Sequence, residues 1–236
     1  MKLLKSKIFV SAAIFGAGLF SSGDVITSVQ AKELKLAYFM SPKHHMNRNA
    51  FTPFAQHVKK ESGGDLTVKL FPAGQLGKGP VAQYKRAIEG VADITFIIQG
   101  YTATIFPRTV LLNAPGVGKS AEEITKKAWA IFDDHLAVEY KKVKLLGLWA
   151  NSPTSLITKK KINSIADLKG LKVRTPPGDF AGALYASWGA VPVALPISKT
   201  FNSFNTGVVN AVAVGAAALY SPWNLGGPGT HVLDNV

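Results

Sequence analysis

From residue 34 onward, short apolar runs of strand length alternate with amphipathic runs of helix length, and the connections between them are brief. No other feature constrains the fold as much, because strand and helix in alternation with short loops imply a layered α/β architecture. Residues 34–39 read as a strand, and Ser41 opens a loop through His44 to Asn47. Residues 50–62 place Phe51, Phe54, Ala55 and Val58 at helical spacing and stop at Gly63-Gly64, a C-terminal cap signal. Residues 66–71 alternate as a strand, ended by Pro72-Ala73-Gly74. A helix over 81–88 closes at Gly90, and 92–98 is expected as a buried strand ending at Gln99-Gly100-Tyr101. Ser120 and Glu123 form a capping box for a long helix reaching about residue 143, and 145–150 is the next expected strand. Strands over 156–158 and 171–174 then flank a short helix capped by Ser164. Helix 180–188, strand 191–195, helix 198–205 and strand 210–214 follow. In such sheets ligands gather beyond the carboxyl ends of strands.

Residues 1–31 are expected to stand apart from this pattern. Lys2, Lys5 and Lys7 precede an uncharged apolar run over 8–20, and Val29-Gln30-Ala31 offers small residues where signal peptidase reads them. The run is shorter than the ~20 residues of a membrane span. Export to the periplasm with cleavage near Ala31 is the expectation, leaving a mature chain that starts near Lys32. Cysteine is absent, which excludes disulfides and thiolate metal sites. Lysine and arginine total 27 against 14 acids, yet the basic residues occur as scattered pairs and triplets such as Lys59-Lys60 and Lys159-Lys160-Lys161. That spacing argues against a nucleic-acid stripe and for a basic surface that draws in small anions.

Gly116-Val117-Gly118-Lys119-Ser120 imitates the end of a phosphate-binding loop, but Asn113 stands where the pattern needs its first glycine. His44-His45 are adjacent, and His57, His135 and His231 are distant in sequence without supporting carboxylates, so no metal is expected. No Gly-x-Ser-x-Gly elbow occurs. The expectation is a binding protein without cofactor, not an enzyme. Arg174 closes the strand of Asp167-Leu168-Lys169-Gly170-Leu171-Lys172-Val173-Arg174. A guanidinium there offers a planar fork of donors that matches a carboxylate. Tyr101, Trp149, Phe180, Tyr185 and Trp188 are candidate pocket walls, although aromatics at such spacings more often fill a core.

Several segments in order carry a resemblance: Ser41-Pro42, Ser62-Gly63-Gly64-Asp65-Leu66, Phe71-Pro72-Ala73-Gly74-Gln75-Leu76-Gly77, Glu89-Gly90-Val91-Ala92-Asp93, Ile165 through Arg174, Gly189-Ala190-Val191-Pro192, and Asn205-Thr206-Gly207-Val208. The chain resembles the DctP-type substrate-binding proteins of tripartite ATP-independent periplasmic (TRAP) transporters over residues 34–215. The resemblance implies a two-lobed α/β fold, with lobe one over 32–151 and lobe two over 152–236. It also implies capture of a small organic acid in the cleft, for delivery to a small and a large membrane subunit by a monomeric receptor. The family arginine that grips the ligand carboxylate maps to Arg174. The cleft would be fed by Ser41, His44, Gln99, Tyr101, Thr154, Phe180 and Val214. Sialic-acid-binding relatives carry a second arginine near the position of Thr154 and an acid near Ile98, and the family asparagine is Val214 here. A less polar pocket is expected, suited to a compact or partly apolar carboxylate. Relatives continue past the position of Val236, so the C-terminal part of the fold is expected to be missing. Two other readings share these features: the receptor of an ATP-driven importer, and a sensing module for a membrane kinase.

Overall fold

The computed structural model describes residues 31–178, 180–220 and 222–233. The expected export signal lies outside them except for Ala31. From Ala31 onward the chain forms one compact unit. Its frame is two sheets.

The first is a three-stranded parallel sheet in the order β2-β1-β3. Strand β1 (Lys32–Ala37) pairs along its whole length with β2 (Leu66–Phe71), from Lys32 opposite Leu66 to Ala37 opposite Phe71. Helix α1 (Thr52–Glu61) joins them, following directly on a π-helical turn over Asn47–Phe51 and carrying Pro53 in its first turn. Strand β3 is shorter than expected: only Ile94–Thr95 pairs, against Leu36 and Ala37. Helix α2 (Gln83–Ile88) precedes it. Residues 145–150, expected as a strand, join neither sheet.

The expected long helix also ends early. Helix α3 (Ala121–Ala130) begins as foreseen, with Ser120 Oγ accepting the Glu123 N–H. Past it the chain widens into a π-turn over Phe132–Leu136 and tightens into a 3₁₀ turn over Ala137–Tyr140. Spacing explains the change. Ala128, Phe132, Leu136 and Tyr140 recur every fourth residue and pack on one cluster with Tyr84, Phe106 and Leu148. A straight helix with 3.6 residues per turn would rotate each successive member by about 40° away from that cluster. A wider turn brings them back to one face.

The second sheet has five strands in the order β6-β5-β7-β4-β8. Strand β5 (Lys172–Thr175) lies between β6 (Val191–Ala194) and β7 (Ala211–Gly215) and is parallel to both. Strand β4 (Thr154–Thr158) runs antiparallel between β7 and β8 (His231–Leu233), a strand the sequence pattern did not announce. Helix α4 (Phe180–Ser187) links β5 to β6, and α5 (Ile197–Asn205) links β6 to β7. The sheet is apolar on both faces, as parallel strands under helices require. Leu156, Val173, Ala211 and Ala213 pack with Leu168 and Tyr185 on one side. Ile157 and Val212 pack with Phe204, Val209 and Leu225 on the other. The two-residue period of a strand divides the residues between the two clusters.

Candidate ligand site at the strand ends

The carboxyl ends of the parallel strands in both sheets meet each other. The segment after β3 turns through a 3₁₀ turn at Gln99–Thr102, and Tyr101 there accepts the Ile197 N–H on its hydroxyl at 3.1 Å. The loop after β5 comes close to the same turn. Gly178 has φ +71°, and a Cβ on it would lie 2.3 Å from the Gly100 carbonyl oxygen and 2.9 Å from Ala103. Only glycine permits both the backbone angle and that approach.

Arg174 lies on β5 opposite Val193 and Val212, so its side chain shares the face of the Ile157 and Val212 cluster. It is 1% exposed. Nε donates to the Leu195 carbonyl at 2.8 Å and Nη1 to the Ala213 carbonyl at 3.2 Å. The guanidinium thus ties the ends of three strands together. Leu195 lies two residues before Ile197, so Arg174 and Tyr101 are linked through one short stretch of chain. A guanidinium held in a fixed orientation at strand ends is suited to a carboxylate by the shape of its planar fork of donors.

Several aromatic side chains gather around this point. Phe39 meets Phe96 at 6.0 Å and the edge of Tyr101 at 6.3 Å between ring centroids. Phe96 also contacts Phe51 at 5.7 Å and stacks on the half-exposed Trp149 at 5.7 Å. Val214, next to Ala213, packs against this cluster together with Trp223. Thr154 sits opposite Gly215 at the same sheet edge. Phe180 is half-buried and starts α4 just past the close approach of Gly178.

His44 is buried in the loop after β1. Its ring lies tilted against His45 at 4.3 Å and meets the edge of Trp223 at 6.0 Å. Nδ1 accepts the Met46 N–H at 3.2 Å, which assigns the remaining proton to Nε2 in the neutral ring. Burial, and then the neighbouring His45, lower its pKa from the ordinary 6.5 to about 4. At neutral pH His44 is therefore an uncharged donor next to the aromatic cluster.

The structure brings Arg174, Tyr101, Thr154, Val214 and, through Trp223, His44 to one place. Two expected contributors are occupied in other ways. The Gln99 amide donates to the Tyr140 hydroxyl at 3.2 Å, which also meets Thr109 Oγ1 at 3.2 Å. Ser41 Oγ accepts the Lys43 N–H at 3.1 Å. Tyr185 and Trp188 pack edge to face at 5.4 Å in the core of the second sheet. Phe39, Phe96 and Trp223 were not foreseen. They come from separate elements, and no local spacing joins them.

A family model described as bacterial extracellular solute-binding protein, family 7 (DctP), matches residues 36–221. The 2,3-diketo-L-gulonate-binding periplasmic protein YiaO of Escherichia coli is 27% identical over 207 residues, covering 86% of this chain and 61% of that one. A TRAP solute-binding protein from Rhodoferax ferrireducens, crystallised with copurified benzoate, is similar with a TM-score of 0.80 at 30% identity. That likeness covers 86% of this chain and 62% of the other. A marine-metagenome TRAP solute-binding protein specific for aromatic acids, crystallised with 3-hydroxybenzoate, gives 0.81 at 28% identity over 86% of this chain and 63% of that one. The chain therefore spans about three fifths of the length of the relatives it matches. With its sheets, their meeting strand ends and this match over most of its length, the chain belongs to the DctP family of solute-binding proteins, the substrate-binding proteins of TRAP transporters.

Proposed function

We propose that this protein is the periplasmic receptor of a TRAP transporter and that it captures a small monocarboxylate with an aromatic or otherwise apolar body. In this reading the export signal is cleaved near Ala31, and the ligand sits where two lobes, 32–151 and 152–236, meet. The loaded receptor, a monomer, then presents its cargo to a small and a large membrane subunit. Arg174 grips the carboxylate. Tyr101, Phe180 and Val214 contact the body, and His44 Nε2 and Thr154 supply donors for a polar substituent. Ser41 and Gln99 shape the rim.

The observation that carries this reading is one buried guanidinium on the same strand-end edge as a cluster of aromatic rings. A planar fork favours a carboxylate, and ring faces favour a flat apolar body over a polyhydroxylated one. The relatives crystallised with benzoate and with 3-hydroxybenzoate support the same class.

Thermal unfolding with and without candidate acids tests it. A ligand that binds only the native state at 100 times its Kd adds about 2.7 kcal/mol of stability. Benzoate or 3-hydroxybenzoate should raise Tm, while succinate and galacturonate should leave it in place. Stabilisation by succinate or galacturonate, with none by the aromatic acids, would refute the assignment.

A further inference from the structure

The second sheet carries another charged feature at its opposite edge, away from the strand ends that hold Arg174. Strands β5 and β7 begin there and β4 ends there. An open depression of about 410 Å³ lies on this edge, lined by Lys159, Lys160, Lys169, Gly170, Leu171 and Asn210. Lys161 and Lys172 flank it in sequence, and both are exposed. We propose that this depression is a binding site for a multivalent, phosphate-bearing anion, distinct from the organic-acid site.

Charge is the first argument. Among the described residues, every ion pair lies elsewhere, and none involves Lys159, Lys160, Lys161, Lys169 or Lys172. Asp167 is the acid that faces this group, and its carboxylate is already committed. It accepts the Asn163 and Ser164 N–H groups at 2.8 and 3.0 Å. Those bonds, helped by Lys160, hold its pKa below the usual carboxylate range, so the acid serves to cap the 3₁₀ turn over Ile165–Leu168. One carboxylate against Lys159, Lys160, Lys161, Lys169 and Lys172 leaves the group with an excess of positive charge among the described residues.

Geometry is the second argument. Lys159 is anchored: Nζ donates to the Asn205 carbonyl at 3.1 Å and lies 5.4 Å from the centroid of the Phe204 ring. Lys169 is placed by the turn at Gly170, whose N–H donates to the Gly189 carbonyl at 2.8 Å. Asn210 is fixed by its own N–H on the Lys172 carbonyl at 2.8 Å and adds an amide to the wall. The positive groups thus come from two separate chain segments onto one depression, and a third supplies Asn210.

Residue type decides the ligand class. The lining contains lysine but no arginine. Lysine ammoniums act as hydrated point charges, which suits an anion carrying several charges, whereas a lone carboxylate is better matched by the planar fork of Arg174. Phosphate chemistry could reach the site as a free anion or as a lipid headgroup. An anionic membrane surface attracts basic patches by about 1 kcal/mol per lysine, and the effect fades within a Debye length.

The test compares the protein purified after export with two double variants. Lys160→Ser/Lys169→Ser removes two exposed lysines from the site. Lys59→Ser/Lys60→Ser removes the same charge from another basic depression, lined by Gln56, Lys59, Lys60, Gly63 and Gly64. Pyrophosphate binding is read by calorimetry. Binding to vesicles of phosphatidylglycerol and phosphatidylcholine is read by sedimentation, both at low salt. The proposal expects the Lys160/Lys169 variant to bind about tenfold or more weakly and the Lys59/Lys60 variant to change by less than about threefold. Loss confined to pyrophosphate identifies a free anion, and loss confined to vesicles identifies a headgroup; either supports the site. Equal loss in the two variants would reduce the effect to net charge and overturn the proposal. So would failure of the unaltered protein to bind both probes.

Discussion

The two sheets differ in how completely they are built. In the second, Leu156, Ile157, Val173, Ala211, Val212 and Ala213 are all at 0% exposure. In the first, β2 has no fully buried residue along its length, and α1 has none either. Segments flanking the first sheet carry strand-like sequence without strand partners, and Leu146 in one of them is 62% exposed. The contrast teaches that a strand's sequence becomes a strand only where a neighbour completes its ladder. The central strands of the second sheet have neighbours on both sides within residues 154–233.

Core truncation is the hardest test of that contrast. Leu156→Ala should cost about 3–4 kcal/mol, because a fully packed site cannot collapse around the cavity. Val68→Ala in β2, half-buried, should cost about 1 kcal/mol. Chemical denaturation gives both values. Equal costs would break the claim that stability is concentrated in the second sheet.

A pH series sharpens the comparison at the meeting point of the sheets. The folded protein disfavours protonated His44, whose pKa is lowered to about 4 from 6.5. Below about 4 the ring is charged in both the folded and unfolded states; between about 4 and 6.5 only the unfolded state takes the proton. Stability should therefore fall as pH drops through that window. His44→Gln should remove about 1–2 kcal/mol of that fall. Parallel stability curves for the two proteins would mean the ring is not shielded.

Smaller effects are expected in the thinner region. Ser120→Ala deletes the bond from the Glu123 N–H and should cost about 1 kcal/mol, read by urea midpoint. Leu146→Ser, on the unpaired segment, should change stability by no more than about 0.5 kcal/mol. A larger loss there would show that the segment is packed in solution.

Much of this was legible in the sequence where cause and effect are local. Alternation over 66–71 gave β2, Gly63 and Gly64 marked the end of α1, and Ser120 capped α3. Apart from β8, the strands and helices of the second sheet fell within a few residues of their expected bounds. Local pattern could not report long-range facts. Residues 92–98 are as apolar as a buried strand, yet only Ile94–Thr95 finds a partner. The four-residue spacing of Ala128, Phe132, Leu136 and Tyr140 is present in the sequence, but the cluster that bends the helix to serve it includes Phe106 and Leu148. Arg174 stood out as a candidate because a charged residue ending an apolar strand is conspicuous. Phe39, Phe96 and Trp223 did not, since single aromatics look alike until the chain brings them together. Gln99 looked like a cleft residue, and its partner Tyr140 lies 41 residues away.

The central claim is that Arg174 holds the carboxylate of an aromatic acid between the two sets of strand ends. The most direct measurement is calorimetric titration of 3-hydroxybenzoate into the unaltered protein and into Arg174→Lys, with the fold of each verified by its unfolding transition. Lysine keeps the charge but not the two-pronged contact, nor the bonds to the Leu195 and Ala213 carbonyls. The account predicts binding weaker by about 2 kcal/mol in a variant that still unfolds cooperatively. Unchanged affinity in a folded Arg174→Lys protein would contradict it.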